Sequence, residues 1–478
     1  MSAAPSSVPV SYRIADKLHL SAPWEVFGER ARRYELHFNG RVIELVRGPL
    51  VVEGFGVRVF RTLGERTATG FQASTDTSEK GIAHAAEDAT QIATHSDFPA
   101  KKVDLPSAPP SGEVEAVDAK LWEAPLPRLR EYVDALLAPF DSIKDAVPSF
   151  GSVRATLTET SIANSAGLRT TYPHTTIELE LAVKAFGGPE GVPPGEYWVN
   201  QLTRRIDPED AGDPVPSWCS YAEDARRAHA PPTGDLPIVL PAHVLAGILP
   251  SVIGFRWTGG ARLRELAPAT GTVVGVPGLH VTDDGRFPWG PSTAPVDDEG
   301  VATRKRTLIA GGVVDELLYD LLHAGAFEVP SSGNGLRGLS FGYRDWLRFT
   351  HAPAPGSTTL VVAPGTDGTD AELAEIAGEG IWLQQLGWAN PDSISGAFGG
   401  EIRIGYRIRN GKIAEPVRGG TIGGLVMALP GTPSLLSGLV AIGSKAKLVD
   451  DLSSPTLLVK SLTVAGDAGG GSISAGSG

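Results

Sequence analysis

The sequence predicts a mixed α+β protein. An N-terminal α+β domain with antiparallel strands, residues 25–230, precedes a C-terminal Gly-rich antiparallel β-rich domain, residues 231–466. Two observations carry this prediction. The chain of 478 residues has 58 glycines and 38 prolines, a composition that favours many turns and short strands. Its pattern also changes near Pro231, from alternating strands mixed with helices to short strands separated by Gly turns.

The first domain opens with a predicted hairpin. Residues 1–24, of which the first ten are small and polar, predict a flexible lead. Asn39-Gly40 then lies between two alternating runs, which is a strong hairpin signal. After two further strands, Thr77 or Ser78 precedes a run with apolar residues three and four apart, which predicts a capped helix.

The rest of the first domain alternates connectors with regular elements. Residues 99–127 are rich in Pro, Ser and charge and predict a connector, and residues 189–216 predict loops. The predicted helices and strands between and after them are, in order, helix 129–140, strands 153–157, 161–164, 167–172 and 175–186, and helix 218–230.

The second domain begins with a short buried strand, Pro237 to Leu240, and a helix from His243 to Ile253. Short strands follow around residues 279–281, 306–309, 311–314, 360–362, 402–408 and 457–460. The tail, residues 467–478, consists almost entirely of Gly, Ser and Ala and predicts disorder.

Charge and cysteine content exclude several classes of protein. The net charge of −13 argues against binding to nucleic acid or to an anionic membrane surface. The single cysteine, Cys219, rules out an intrachain disulfide and fits a reducing cytoplasm; packing is its expected role. The sequence contains no signal peptide pattern and no apolar run near the roughly 20 residues of a membrane span.

Sequence motifs of catalysis are missing. None of the ten histidines has another histidine three or four residues away, so the H-E-x-x-H helix face of zinc peptidases is absent. Neither the G-x-S-x-G elbow nor the phosphate-binding G-x-x-x-x-G-K-[ST] loop occurs.

A few polar clusters are candidates for binding. Asp297, Asp298 and Glu299 could hold a hard cation, and the alternative is a solvated turn. Arg418 could clamp a carboxylate or form a structural ion pair. Asn334 lies in the Gly- and Ser-rich segment 331–335, which is either a binding loop or a plain loop.

Several segments, in their order along the chain, resemble the TldD/PmbA family, also called TldD/TldE or modulator of DNA gyrase. The resemblance covers residues 25–466 and rests on the following segments: 54–60, 70–74, 161–168, 295–304, 308–313, 410–413, 416–419 and 454–459. It implies a subunit of a two-chain peptidase that admits extended peptides into an internal cavity. Some pairs in this family mature ribosomally made peptides, so a peptide natural product is one expected substrate.

The same resemblance implies which subunit this is. TldD-type chains hold a metal with H-E-x-x-x-H and a C-terminal cysteine, and TldE-type chains lack both. Here His243 matches the first histidine, but Val244 replaces the glutamate and Gly247 or Ile248 stands at the second histidine. Residues 462–466 contain no cysteine. The resemblance therefore implies a TldE-type subunit without a cofactor of its own, zinc being expected in a TldD-like partner.

Two alternatives remain open. One is a stand-alone metallopeptidase with a site around His243, His280 and Asp297-Asp298-Glu299, and the other is a binding or regulatory protein without catalysis. Segments 255–289 and 333–355 fit the family pattern poorly. No catalytic residue is predicted, and the predicted substrate-binding residues are His243, Asp297, Asp298, Glu299, Asn334 and Arg418.

Overall fold

The computed structural model describes residues 8–109, 112–186, 193–340, 343–344, 346–428 and 432–466. It contains two separate large sheets, one of six strands and one of eleven. Helices make up 21% and strands 41% of the structure, which confirms the predicted α+β class. The predicted disordered tail, residues 467–478, lies outside the described residues.

The helices of the described residues are short, apart from three of 13 residues or more. They are α1 Val10–Ala15, α2 Glu79–His95, α3 Ala119–Glu123, α4 Pro125–Leu137, α5 Val215–Arg227, α6 Ala242–Ala246, α7 Leu249–Arg256, α8 Gly259–Leu263, α9 Leu321–Phe327 and α10 Asp370–Ala377. Single 3₁₀ turns occur at Ala138–Asp141 and Arg348–Thr350.

The strands are longest in the first half of the chain. They are β1 Trp24–Asn39, β2 Val42–Leu63, β3 Arg66–Ser74, β4 Ala146–Asn164, β5 Arg169–Ala185, β6 Gly195–Thr203, β7 Gly234–Leu240, β8 Val281–Asp284, β9 Lys305–Ala310, β10 Val313–Val314, β11 Gly335–Leu336, β12 Leu339–Ser340, β13 Tyr343–Arg344, β14 Ala354–Pro355, β15 Leu360–Val362, β16 Gly380–Gly387, β17 Ala397–Arg409, β18 Lys412–Val417, β19 Thr421–Leu425, β20 Leu439–Val449 and β21 Leu452–Ala465.

The N-terminal sheet is antiparallel throughout, in the order β3-β2-β1-β4-β5-β6. The predicted hairpin is confirmed, because Asn39 pairs with Val42 and Gly40 has a φ of +54°, which glycine adopts without strain. The predicted helix cap is also confirmed, since the Ser78 hydroxyl accepts the backbone N–H of Gly81.

The two faces of this sheet differ in chemistry. Val26, Leu36 and Val153 belong to one face, which packs apolar side chains against helices α1, α2, α4 and α5. Because side chains alternate along a strand, the odd-numbered residues of β1 lie on the opposite face, among them the buried Glu25 and Glu29. A buried polar face requires partners, and the C-terminal half supplies them.

Several boundaries in the N-terminal half differ from the prediction. The predicted flexible lead contains α1, whose Val10 and Ile14 are buried against the sheet. The predicted connector 99–127 includes α3 and the start of α4, and the loop-rich segment 189–216 contains β6. The polar residues that suggested loops lie on the outward faces of these elements. There the spacing and composition of the residues distinguish a helix or strand from a loop only weakly.

The C-terminal sheet closes on itself. Strand β7 pairs with β16 on one side and with β21 on the other, which completes a ring in the order β7-β16-β17-β19-β21. Most pairings are antiparallel, as predicted, but β15 with β21 and β16 with β7 are parallel. The largest apolar core of the molecule fills this half.

The helix predicted from His243 to Ile253 is wrong in one respect, since two helices replace it. Gly247 ends α6, and Ile248 has a φ of −124° and a ψ of −58°, outside helical geometry. Pro250 lies in the first turn of α7, where its missing N–H costs no hydrogen bond. The apolar period continues through the break, which explains why the pattern alone predicted one helix.

Candidate functional site

Helix α6 follows β7 at the position where the family resemblance places metal ligands. The His243 ring donates from Nε2 to the backbone oxygen of Gln384, 2.7 Å away. More than a third of the residue's surface is exposed, yet the surrounding wall desolvates the ring. This desolvation lowers the pKa of His243 despite the hydrogen bond to Gln384, so the imidazole is neutral at pH 7.

The remaining positions of α6 carry no ligand atoms. Val244 is buried in the C-terminal core, and Ile248 is fully buried beside it. A Cβ atom at Gly247 would lie 4.0 Å from the Ala389 side chain. These residues do not fit a catalytic zinc ion, which needs about three protein ligands. Among the described residues no cluster of three His, Cys, Asp or Glu side chains has metal-binding geometry.

The acidic run lies elsewhere, at the contact between the two halves. Asp297 accepts hydrogen bonds from the backbone N–H groups of Glu299, Val301 and Gly335 at 2.8–3.0 Å. Its side chain is 1% exposed. Asp297 therefore holds its own loop through local backbone hydrogen bonds, as the alternative of a turn predicted. That alternative is wrong only in its solvation, because the turn is buried.

Asp298 and Glu299 join a buried ion network that links the halves. Arg337 donates from its backbone to Asp298 at 2.7 Å and from Nη2 to Glu25 at 2.5 Å. Arg58 donates to Glu25 at 2.8 Å and to Glu299 at 2.5 Å. Glu25 and Arg58 belong to β1 and β2, so the polar face of the N-terminal sheet is neutralised by residues of the C-terminal half.

Arg348 adds the second half of this network. Its guanidinium contacts Glu29 at 2.8 Å, Asp298 at 2.9 Å and the Thr160 hydroxyl at 2.6 Å. Glu29 also accepts the backbone N–H of Phe349 at 3.1 Å. We call Glu25, Glu29, Arg58, Asp298, Glu299, Arg337 and Arg348 the interdomain network.

Burial shapes the protonation of the carboxyls around the network. Burial raises the pKa of Asp297 to about 7. It also raises the pKa of Glu299 well above its usual value, although Arg58 opposes that shift. The pKa of Glu29 is raised in the same way, against the pull of Arg348. Desolvation thus favours the neutral acid, while the arginines hold the charged form.

The other predicted residues separate into different surroundings. Asn334 is 2% exposed and donates to Asp283 Oδ2 at 2.7 Å and to the Gly356 oxygen at 3.0 Å. Arg418 Nη1 contacts the Ala225 oxygen at 3.3 Å, in the last turn of α5, where a cation is favourable. The contact that holds Arg418 is therefore with a carbonyl oxygen and not with a carboxylate.

The site that the sequence allowed around His243, His280 and the acidic run is wrong as a cluster. His280 accepts the backbone N–H of Gly311 at Nδ1, 3.3 Å away, while His243 bonds to Gln384. Asp297, Asp298 and Glu299 are enclosed with different partners. Substrate binding by the individual residues stays a prediction.

Sequence reasoning missed the arginines and glutamates that complete the network. Glu25 and Arg337 are 312 residues apart, Arg348 is farther still along the chain, and each looks unremarkable among its neighbours. The one signal available was Gly54-Phe55-Gly56. A Cβ on Gly54 would lie 2.3 Å from the Phe349 ring, so this glycine marks where the segment of Arg348 packs onto β2.

Comparison with known proteins assigns the family. The model for the PmbA/TldA metallopeptidase C-terminal domain matches residues 233–466, and that for PmbA/TldA metallopeptidase domain 1 matches residues 24–93. The chain belongs to the TldD/PmbA family. The implied family assignment is thereby confirmed.

Relatives of known sequence cover part of this TldD/PmbA chain. The metalloprotease TldD homologue of Haemophilus influenzae is 27% identical over 250 residues, which is 50% of each chain. A TldD homologue of Buchnera aphidicola is 25% identical over 198 residues, 41% of this chain and 39% of that one. The matches thus span about half or less of these curated relatives.

Solved structures share the fold over nearly the whole chain. A putative modulator of DNA gyrase from Thermotoga maritima aligns with a TM-score of 0.77 at 20% identity, covering 93% of this chain and 96% of that one. TldE from Thermococcus kodakarensis aligns with a TM-score of 0.77 at 18% identity, covering 96% and 99%. Within the described residues, no helix is both long and apolar enough to cross a membrane.

Proposed function

We propose that this chain is the TldE-type, non-catalytic subunit of a two-chain metallopeptidase that acts on extended peptides. The observation that carries the proposal is helix α6. At the positions that the family uses for metal chemistry, it presents a hydrogen-bonded His243, a buried Val244, an exposed Gly247 that has no side chain and a buried Ile248. Zinc and the water that it activates would then belong to a TldD-like partner.

The outer part of the β1–β2 hairpin supports a partner-binding role. Strand β3 pairs with β2 from Phe55 onward, and among the described residues no strand pairs with the outer edge of residues 42–53. Five large apolar side chains on this stretch are 42–65% exposed, namely Val42, Leu45, Val46, Leu50 and Val51. We call residues 42–53 the β2 arm.

Free strand edges with apolar side chains are sites of chain association, because both main-chain groups and apolar surface remain unsatisfied. We assign the β2 arm to the TldD-like subunit. The peptide would be bound by strand addition within the completed cavity, a mode that recognises main chain more than sequence.

Co-expression with a TldD-like metallopeptidase tests the proposal. We expect the two chains to co-elute in size-exclusion chromatography. Peptidase activity should appear with the pair, disappear with a chelator and return with zinc. Extended peptides, including ribosomally made precursor peptides, are the substrates to compare. Robust peptidase activity or stoichiometric zinc in the lone chain would contradict the proposal and favour a stand-alone enzyme.

Two charge substitutions test the arm separately. Val46→Lys with Leu50→Lys should prevent co-elution, because lysine ammonium groups cannot be buried cheaply at an apolar contact. Val273→Lys is the control, since Val273 is 65% exposed, against 50% for Val46 and 47% for Leu50, and lies in the other half. Co-elution that survives the arm substitutions would assign the partner to another surface. A pair that co-elutes without peptidase activity would favour a regulatory role.

A further inference from the structure

One row of paired residues crosses the N-terminal sheet near the tip of the β1–β2 hairpin. Its members lie on five neighbouring strands, β2, β1, β4, β5 and β6, and are Val42, Asn39, Phe150, Ala182 and Trp198. Residues paired directly across antiparallel strands have their side chains on the same face of the sheet. Strand β1 pairs with β4 without a register shift, so Asn39 shares the face of Glu25 and Glu29. We call these five residues the end row.

The end row lies on the face that the C-terminal half covers at the interdomain network, but here large apolar side chains stay in solvent. Val42 is 65% exposed, Phe150 40% and Trp198 37%. Leu45 and Leu50 of the β2 arm share this face, because they pair with odd-numbered residues of β1. Single exposed apolar residues are ordinary, whereas a group of them on one face marks an interaction site.

Phe150 and Trp198 form an aromatic pair before anything binds. They lie on β4 and β6, which are two strand spacings or about 10 Å apart. Their ring centroids are nevertheless only 5.3 Å apart, with the rings in an edge contact. Ala182 lies between them on β5 and is fully buried, and its methyl group leaves room for the rings to meet. The edge contact is favourable, so the pair is already ordered.

The size of the β2 arm indicates which surface the end row extends. A stable protein–protein interface buries about 800 Å² and roughly 20–30 residues on each partner. The arm, residues 42–53, contains only twelve residues. A partner that binds the arm must therefore contact more of this chain. Val42 belongs to both the arm and the end row, and aromatic side chains such as those beyond it are enriched at the centres of interfaces.

We propose that the end row is part of the surface that binds the TldD-like subunit, with Phe150 and Trp198 buried in the contact. The inference rests on the proposed function, which supplies the identity of the partner. The partner would lie across the end of the N-terminal sheet from β2 to β6, four strand spacings or roughly 19 Å. It would present an apolar surface there, because the end row contains no charged side chain.

Tryptophan fluorescence during titration with the TldD-like subunit tests the burial of Trp198. We expect the emission of the wild-type mixture to lie at shorter wavelength than the sum of the separate chains, because the indole leaves water. Trp198→Phe keeps an aromatic ring beside Phe150, so it should still bind but show a smaller shift. An equal shift for both chains, or no shift for either, would overturn the proposal.

A charge in the end row tests its contribution to affinity. Phe150→Arg should weaken binding at least about tenfold, because a guanidinium replaces an aromatic ring at an apolar contact. Ile376→Arg on α10 is the control, since Ile376 is 49% exposed and lies in the other half. The melting temperature of each isolated variant shows that it is folded. Wild-type affinity in a folded Phe150→Arg variant would contradict the assignment.

The outcomes separate this inference from the proposed function. If the wild-type chain and the TldD-like subunit do not co-elute, both fail. If they co-elute, and Val46→Lys with Leu50→Lys releases the partner while Phe150→Arg does not, only the end row is excluded from the interface. The fluorescence comparison still decides the inference if Phe150→Arg fails to fold.

Discussion

Helix α6 and the interdomain network differ in the side chains that they bury, which are apolar at α6 and charged in the network. At α6, where the family resemblance places metal ligands, Val244 and Ile248 belong to the apolar core. At the network it assembles seven charged side chains, all at most 5% exposed, and connects each to an opposite charge. The difference teaches that concentrated charge can join two sheets, and, on the proposed function, that a helix can keep its position without ligands for a metal.

Of the effects expected here, the loss of stability on removal of the Arg337 side chain should be the largest. Arg337→Ala leaves Glu25 buried with one cation fewer, and breaking a buried pair in this way costs about 3–5 kcal/mol. Urea unfolding measures the loss. Arg409→Ala is the control, because the Arg409–Glu415 pair is on the surface and its loss should leave the midpoint unchanged. Equal midpoints for the two variants would mean that the network does not hold the halves together.

Restoring the glutamate to α6 should also destabilise the fold. Val244→Glu places a carboxylate in the apolar core without a cation, which costs about 3 kcal/mol or more. His243→Gln on the same helix is the control, because an amide can still donate to the Gln384 carbonyl oxygen, and it should unfold near the wild-type midpoint. If Val244→Glu is tolerated as well as the control, the α6 position has kept room for catalytic chemistry.

The network and its surroundings should make stability depend on pH. The folded-state pKa values of Asp283 and Asp297, about 7, lie above the unfolded value near 4. Their contribution is therefore present below pH 4 and is lost as the pH rises through 7. We expect the free energy of unfolding to fall from pH 5 to pH 8, by up to about 1.4 kcal/mol per unit for each group.

Salt distinguishes this effect from surface repulsion. The net charge of −13 also disfavours the folded state as the pH rises. At 0.5 M salt, surface repulsion is screened while buried groups are affected much less. If the dependence of the unfolding free energy on pH vanishes in salt, its cause is repulsion between surface charges and not the buried carboxyl groups.

Truncation of His243 should have the smallest effect. His243→Ala loses the hydrogen bond to the Gln384 carbonyl oxygen, and the exposed ring lets water replace that bond. We expect a loss below about 1 kcal/mol and no change in the zinc content of the purified chain. A fall in zinc content on this substitution would show that α6 binds metal after all.

The hairpin and helix-cap predictions that the structure confirms rest on short-range sequence signals. The Asn39-Gly40 turn and the Ser78 cap act over three or four residues, so the pattern contains all that determines them. The closed ring around β7 and the parallel pairing of β15 depend on contacts between distant segments. The same reason hid the role of the acidic run, because the cations that pair with Glu299 and Asp298 are Arg58 on β2 and the distant Arg348.

Strand β7 has a consequence for the position of helix α6. Both of its edges are paired, so the strand that leads into α6 is held by main-chain hydrogen bonds to β16 and β21. Those bonds do not involve the side chains at positions 243, 244 and 247. The position of α6 is therefore set by the main chain that leads into it, whatever side chains the helix carries. On the proposed function, this frame would hold the helix in place with or without ligands for a metal.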